Sequence, residues 1–296
     1  MMIDGFYAGV EDPDRSFDLY PPSRPVTTPA PLLVHVHGGA WRFGDKSSLR
    51  FSENGQHRVR ERFQAAGFAV ASINYRLTTR ARFPEPLHDL KQAIRHFRAE
   101  AAHYGIDPQR IAVSGASAGG HLAQLAAATG DAEDTYLEGP RPWVASSAVG
   151  CAVSFYGVSD LRSIFHDRVA CGLPLEHPDD DGAEWRLLGS TFPPPPGTAA
   201  EIAWSRAHPV DYAREACLSP GHRPVFYLHG DSDGCVPWNQ SAAAHTALRS
   251  REIQTALEII PQADHSDASI YHDEPRLARV VDWVRSRLEE PNLSRR

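Results

Sequence analysis

Residues 110–129 read RIAVSGASAGGHLAQLAAAT. An apolar run, Ile111 to Val113, leads into small residues, and an alanine-rich stretch follows. This pattern predicts a short strand, a tight turn and a helix. At the turn, Gly115 to Gly119 spells GASAG, a match to GxSxG. A sharp strand-to-helix turn needs little bulk around the serine, and glycine and alanine supply that. The Ser117 hydroxyl would then stand above a sheet edge at a helix N-terminus, whose N–H groups favour developing negative charge. Ser117 is therefore the candidate nucleophile.

The flanking sequence repeats the same alternation. PLLVHVHGG (31–39) and GFAVASINY (67–75) read as buried strands. Residues 87–105 carry Leu87, Leu90, Ala93, Ile94 and Phe97 at a helical period and end near Gly105. Further strands are expected at 148–157, 223–233 and 255–261, with helices at 240–250 and 276–290. Such alternation implies one mostly parallel sheet flanked by helices, with sites at the C-terminal ends of the strands. Residues 161–207 break the rhythm with a proline run, Pro193 to Pro196, and an acidic run, Asp179 to Asp181. They read as a lid or cap excursion within a single domain spanning residues 1–296. No internal repeat is evident.

An activated serine needs a base, and the base an orienting acid. In this kind of sheet the chain order is serine, acid, histidine. The strand-end acids after Ser117 are Asp160, Asp231 and Asp233. Asp233, just past a strand in HGDSDGCVP, is preferred over Asp231. Three of the fifteen histidines follow it. His245 falls inside a helix and His272 lies further on; His265, in a short loop after the strand 255–261, is the expected base. Backbone donors for an oxyanion are expected from Gly38 and Gly39, with Ala118 beyond the serine and Ala40 as a substitute.

Several other patterns carry less. Gly39 to Ser47 nearly spells a phosphate-binding loop, but Asp45 separates glycine from lysine and would repel phosphate. His35 and His37 lack a third metal ligand, so no metal is expected. Ser117 stands where a dinucleotide fingerprint needs its second glycine.

Composition bounds the rest. Hydrophobic residues at 42% and charged residues at 23% suit an ordinary globular protein. The net charge of −7 disfavours nucleic acid and anionic membranes as partners. The four cysteines form no CxxC pair and read as free thiols of a reducing, cytoplasmic setting. Neither a signal peptide nor an apolar run of spanning length is seen. An Asn292-Leu293-Ser294 sequon carries little weight. Exposed helix faces or an edge strand offer surfaces for a homodimer.

Taken as a set, the motifs resemble a known group. HGGAW (37–41) with GDK (44–46) resembles the HGGxW…GDK segment of small esterases of the BD-FAE type, and the HGGxW motif of kynurenine formamidases. NYRL (74–77), YGIDPQRI (104–111) and GASAGG (115–120) are similar to the same group and to hormone-sensitive-lipase-like esterases. His229 to Ser241 resembles the HGxxDxxVPxxQS acid segment of the esterase and formamidase branch. The resemblance covers roughly residues 17–290. It departs at Ala263-Asp264-His265-Ser266-Asp267, where relatives commonly have glycine before and an aromatic after the histidine. It implies an α/β-hydrolase fold and cofactor-free hydrolysis of small carboxylic esters through an acyl-enzyme, with N-formylkynurenine as an alternative, arylformamidase substrate. It also puts Trp41, Tyr156 and Trp238 near the pocket, where they could stack on an aromatic substrate. A non-catalytic binding protein on the same fold is the alternative from another class.

Overall fold

The computed structural model describes residues 2–174 and 182–290. The acidic run Asp179–Asp181 and the Asn292 sequon lie outside the described residues.

Eight strands form one sheet: β1 (Ile3–Phe6), β2 (Ser16–Tyr20), β3 (Ala30–Val36), β4 (Ala69–Ile73), β5 (Ile106–Ala116), β6 (Ala152–Phe155), β7 (Val225–Gly230) and β8 (Thr255–Ile260). Their spatial order is β1-β2-β4-β3-β5-β6-β7-β8. β2 runs against both of its neighbours, and every other neighbouring pair is parallel. The mostly parallel α/β sheet expected from the alternation is the observed one.

Side chains of successive strand residues point to opposite faces, and the sheet accordingly feeds two cores. Leu32, Val34, Ile111, Val113, Val225 and Tyr227 join one; Leu33, Ala112, Phe226 and Leu228 join the other. The helices Glu85–Ala99, Ala118–Thr129 and Asn239–Ser250 cover the first face. His57–Ala65 and Glu274–Glu289 cover the second. The last helix starts where Asp273 accepts from the Arg276 N–H, with a proline in its first turn, and it buries Leu277, Val280, Val281 and Val284.

Several boundaries differ from the sequence reading. The helix expected over 87–105 is two: Glu85–Ala99 and a turn, Ala101–Tyr104, that ends at a left-handed Gly105. The central strand is longer than Ile111–Val113, running from Ile106 to Ala116. β1, β2 and the helix His57–Ala65 have no counterpart in the sequence pattern. β2 is the instructive case, because SFDLY holds a fully buried Asp18. That charge is tolerated because Lys46 and Arg50 both pair with it.

In the 161–207 region the described residues form helices Ile164–Ala170, Ala183–Leu188 and Ala199–Arg206.

Candidate functional site

The candidate residues follow the C-terminal ends of five parallel strands. His37–Trp41 follow β3, Ser117 follows β5, Tyr156 follows β6, Asp233 follows β7 and His265 follows β8.

Ser117 has φ 53° and ψ −117°, a strained conformation for a residue with a side chain. Its neighbours hold it there. The Ser117 N–H donates to the Phe155 carbonyl at 2.9 Å, and the Ser117 carbonyl accepts from the His121 N–H at 3.0 Å. The flanking glycines are steric requirements. A Cβ on Gly115 would lie 2.1 Å from the Gly119 carbonyl oxygen, and one on Gly119 would lie 2.1 Å from that of Val36.

Three side chains distant in sequence meet in one hydrogen-bonded series. His265 Nδ1 lies 2.8 Å from Asp233 Oδ2, and His265 Nε2 lies 3.1 Å from Ser117 Oγ. An ionised carboxylate only accepts, so Nδ1 carries the proton and Nε2 is left to accept from the serine hydroxyl. Asp233 is buried. Burial alone would raise its carboxyl; the facing His265 ring and the nearby His229 outweigh that and hold it well below the usual carboxylate range. The amides of Cys235 and Val236 also donate to Asp233 Oδ1, at 2.9 and 2.8 Å.

The rivals lie elsewhere. Asp231 is exposed and accepts from the Gln262 N–H. Asp160 is paired with Arg162. His245 faces Thr255, and the His272 ring lies against Gly55. The amides of Gly38, Gly39 and Ala118 find no acceptor among the described residues, and all three residues line the same cavity as Ser117. Ala40 lines it as well and has φ 51°.

That cavity has a volume of about 500 Å³. Trp41, Val158, Ile164, Phe165 and Val236 give it an apolar wall; Ser117 and His265 open into it. Helices Ile164–Ala170 and Ala183–Leu188 contribute residues to the wall. Arg168 fastens the first of these helices to the acid loop, donating to the carbonyls of Gly234 and Cys235 at 2.7 and 2.8 Å.

The three aromatic expectations divide. Trp41 and Tyr156 line the cavity but are almost wholly buried. Trp41 packs edge-on to His121, and Tyr156 edge-on to His265 with ring centres 4.7 Å apart. Trp238 is a correction: it lines a separate open depression with Arg214, Asn239 and Ala242. Cys235 and Val236 already fill the cavity wall, and the chain then turns into the helix Asn239–Ser250, carrying Trp238 away.

Sequence reasoning missed the residues that brace the histidine loop. Asp264 Oδ1 accepts from the Gly234 and His265 amides at 2.8 and 2.6 Å, joining the acid and histidine loops. Tyr156 Oη contacts Gln56 Nε2 at 3.2 Å, Ser266 Oγ at 3.1 Å and the Tyr271 hydroxyl. The only sequence signal was the departure at Asp264 and Ser266, which marks where these polar braces stand.

Among the described residues no cluster of three or more histidine, cysteine or acidic side chains is placed to hold a metal ion. His35 is buried against Ser114 Oγ, and burial pushes its ring down to about 3. No described helix is long and apolar enough to cross a membrane.

The sheet, the strained serine turn and the site at the strand ends define an α/β-hydrolase fold. The chain belongs to the BD-FAE family, whose model matches residues 17–248. It is 33% identical over 238 residues to the esterase LipQ of Mycobacterium tuberculosis, covering 80% of this chain and 50% of LipQ. It is 32% identical over 228 residues to the probable carboxylic ester hydrolase LipM of the same organism, covering 77% of this chain and 47% of LipM. The chain thus spans about half the length of these relatives. Among solved structures it resembles a truncated carbohydrate esterase from gut microbiota (TM-score 0.80, 23% identity, 97% of this chain and 96% of that one). It also resembles esterase Est2 of Thermogutta terrifontis with propionate bound (TM-score 0.68, 22% identity, 96% and 92%). At these identities the two structures speak to the fold alone.

Proposed function

We propose that this chain is a serine carboxylesterase acting on small esters, with Ser117 as nucleophile, His265 as general base and Asp233 as the orienting acid. The observation that carries the reading is the Asp233–His265–Ser117 hydrogen-bonded series opening into an apolar cavity. His265 takes the serine proton as Oγ attacks the ester carbonyl carbon. The carbonyl oxygen becomes an oxyanion, and the free amides of Gly38, Gly39 and Ala118 are the donors available to it. His265 returns the proton to the leaving alcohol, and the acyl-enzyme forms. Water then repeats the sequence, with His265 as base, and releases the acid. Binding the carbonyl is easy for many folds; stabilising the oxyanion is what lowers the barrier, by about 2.7–4 kcal/mol per donor in serine proteases.

The names of LipQ and LipM support an ester as substrate. A cavity of about 500 Å³ fits a small molecule. An aryl formamide is the alternative substrate. The four free thiols suit a reducing compartment, and the cytoplasm is the location proposed. Rates on p-nitrophenyl acetate, butyrate and octanoate, set beside N-formylkynurenine, test the assignment. Faster turnover of the short esters supports it; preference for N-formylkynurenine would replace it with an arylformamidase, and inactivity on all four would return the protein to the binding class.

A further inference from the structure

His229 is fully buried at the end of β7, behind the proposed catalytic acid. Its Nε2 lies 2.8 Å from the Val236 carbonyl oxygen. A carbonyl only accepts, so Nε2 carries a proton. Its Nδ1 lies 2.7 Å from Ser241 Oγ, and in the neutral ring that nitrogen accepts from the hydroxyl. The ring is thus fixed in one tautomer, and its proton is directed toward the acid loop. There, the same Nε2 lies 3.3 Å from Asp233 Oδ2, the oxygen that also meets His265.

We propose that His229 is a positioning residue for the reaction: locked in place by Ser241 and donating its Nε2–H to the Val236 carbonyl, it keeps that ring edge 3.3 Å from the Asp233 oxygen that faces His265, where it steadies the carboxylate and shares part of its charge. The proposal rests on the serine-esterase reading and extends it to a residue that touches neither substrate nor Ser117. Two backbone amides secure the far oxygen of the carboxylate, and two imidazoles meet the near one. Without His229 the near oxygen keeps its bond to His265 but loses the ring edge beside it, and the carboxylate gains freedom to turn. An outer partner of this kind orients the inner residue and tunes how strongly that residue acts on its neighbour.

The direction of the effect follows from charge. A carboxylate that shares its charge with His229 stabilises the His265 imidazolium less than an unshared one. Removing the donor therefore leaves more of the carboxylate's charge facing His265. Asp264 spends its Oδ1 on the Gly234 and His265 amides. Arg168 donates to the Gly234 and Cys235 carbonyls. Asp231 is exposed and turned to Gln262. Tyr156 packs its ring on His265, and burial raises its hydroxyl, keeping it neutral. The Cys235 side chain lies at the cavity wall.

The test compares wild type, His229→Leu, His229→Gln and Ser241→Ala on p-nitrophenyl butyrate from about pH 5 to 9, with melting curves for each. Leu removes the donor; Gln restores an N–H near the Nε2 position. For His229→Leu, kcat should fall about 10- to 100-fold with KM within about twofold. Its acid limb should move to higher pH. His229→Gln should recover most of the rate and the wild-type acid limb. Ser241→Ala, which frees the ring without emptying the core, should give a smaller loss with the same upward shift; it decides the matter if the leucine variant does not fold. A folded leucine variant with wild-type kcat and acid limb overturns the proposal. So does equal loss in the leucine and glutamine variants with no shift, which would mark His229 as packing alone. An inactive wild type would instead overturn the esterase reading on which the proposal stands.

Discussion

Asn54 Nδ2 donates to Ser266 Oγ at 2.6 Å, tying two loops that are 212 residues apart in the chain. Ser266 directly follows His265 and has φ 63°, so the contact holds the histidine loop in a conformation it would not favour alone. Asn54 makes a second, longer bond to the Ser266 carbonyl at 3.3 Å. The His265 loop is thereby braced from a remote part of the chain.

Asn54→Ala should therefore act on rate before affinity. Losing one such hydrogen bond costs about 0.5–1.5 kcal/mol, so kcat on p-nitrophenyl butyrate should fall about 2- to 10-fold with KM nearly constant. An unchanged kcat would show that the loop holds its shape without Asn54.

Tyr156→Phe tests the same loop from the other side. The ring against His265 stays, while the hydroxyl shared by Gln56, Ser266 and Tyr271 goes. Stranded buried partners cost about 1–3 kcal/mol. The urea midpoint should fall accordingly, with an unchanged m-value. A midpoint equal to wild type would mean that the cluster adds nothing to stability.

The class of fold was legible because the strand ends announce themselves. GASAG at 115–119, HGGAW at 37–41 and HGDSD at 229–233 each follow an apolar run. The geometry then brought Ser117, Asp233 and His265 within hydrogen-bond reach. What stayed hidden depends on contacts between remote residues. β2 was unreadable because the partners of Asp18 lie at Lys46 and Arg50. Trp238 was misplaced because a sequence does not say which way a chain turns after Pro237. The braces Asn54, Gln56 and Asp264 sit in loops, where no period tells a hydrogen-bonded polar side chain from a solvated one.

Arg168→Met should loosen the cavity wall. The guanidinium is buried and donates to the carbonyls of Pro174, Gly234 and Cys235. Hydrogen bonds from a charged group are each worth about 1.5–3 kcal/mol. The variant should melt earlier, and its KM for p-nitrophenyl butyrate should rise about 3- to 10-fold. A wild-type KM and melting temperature would show that the helix Ile164–Ala170 is held by packing alone.

Acid should destabilise the protein well before its carboxylates titrate. Burial pushes His121, His208 and His222 down to about 4 and His35 to about 3, against about 6.5 in an unfolded chain. Between those limits the unfolded state binds more protons than the folded one. Stability is thus full above about pH 6.5 and is lost as pH falls toward 4. Depressed Asp233 adds its own loss only below about pH 4, the range where an unfolded aspartate begins to protonate. Melting temperatures should drop steadily from pH 7 to 5; a flat profile there would contradict neutral burial of these rings.

The most direct test is fluorophosphonate labelling and p-nitrophenyl butyrate hydrolysis by wild type and Ser117→Ala, with melting curves to confirm that both are folded. The expected result is a single adduct on Ser117 in wild type, none in the variant, and a loss of about 10⁴-fold or more in turnover. A folded Ser117→Ala protein that still hydrolyses the ester at the wild-type rate, or a wild type labelled at another residue, would contradict the central claim.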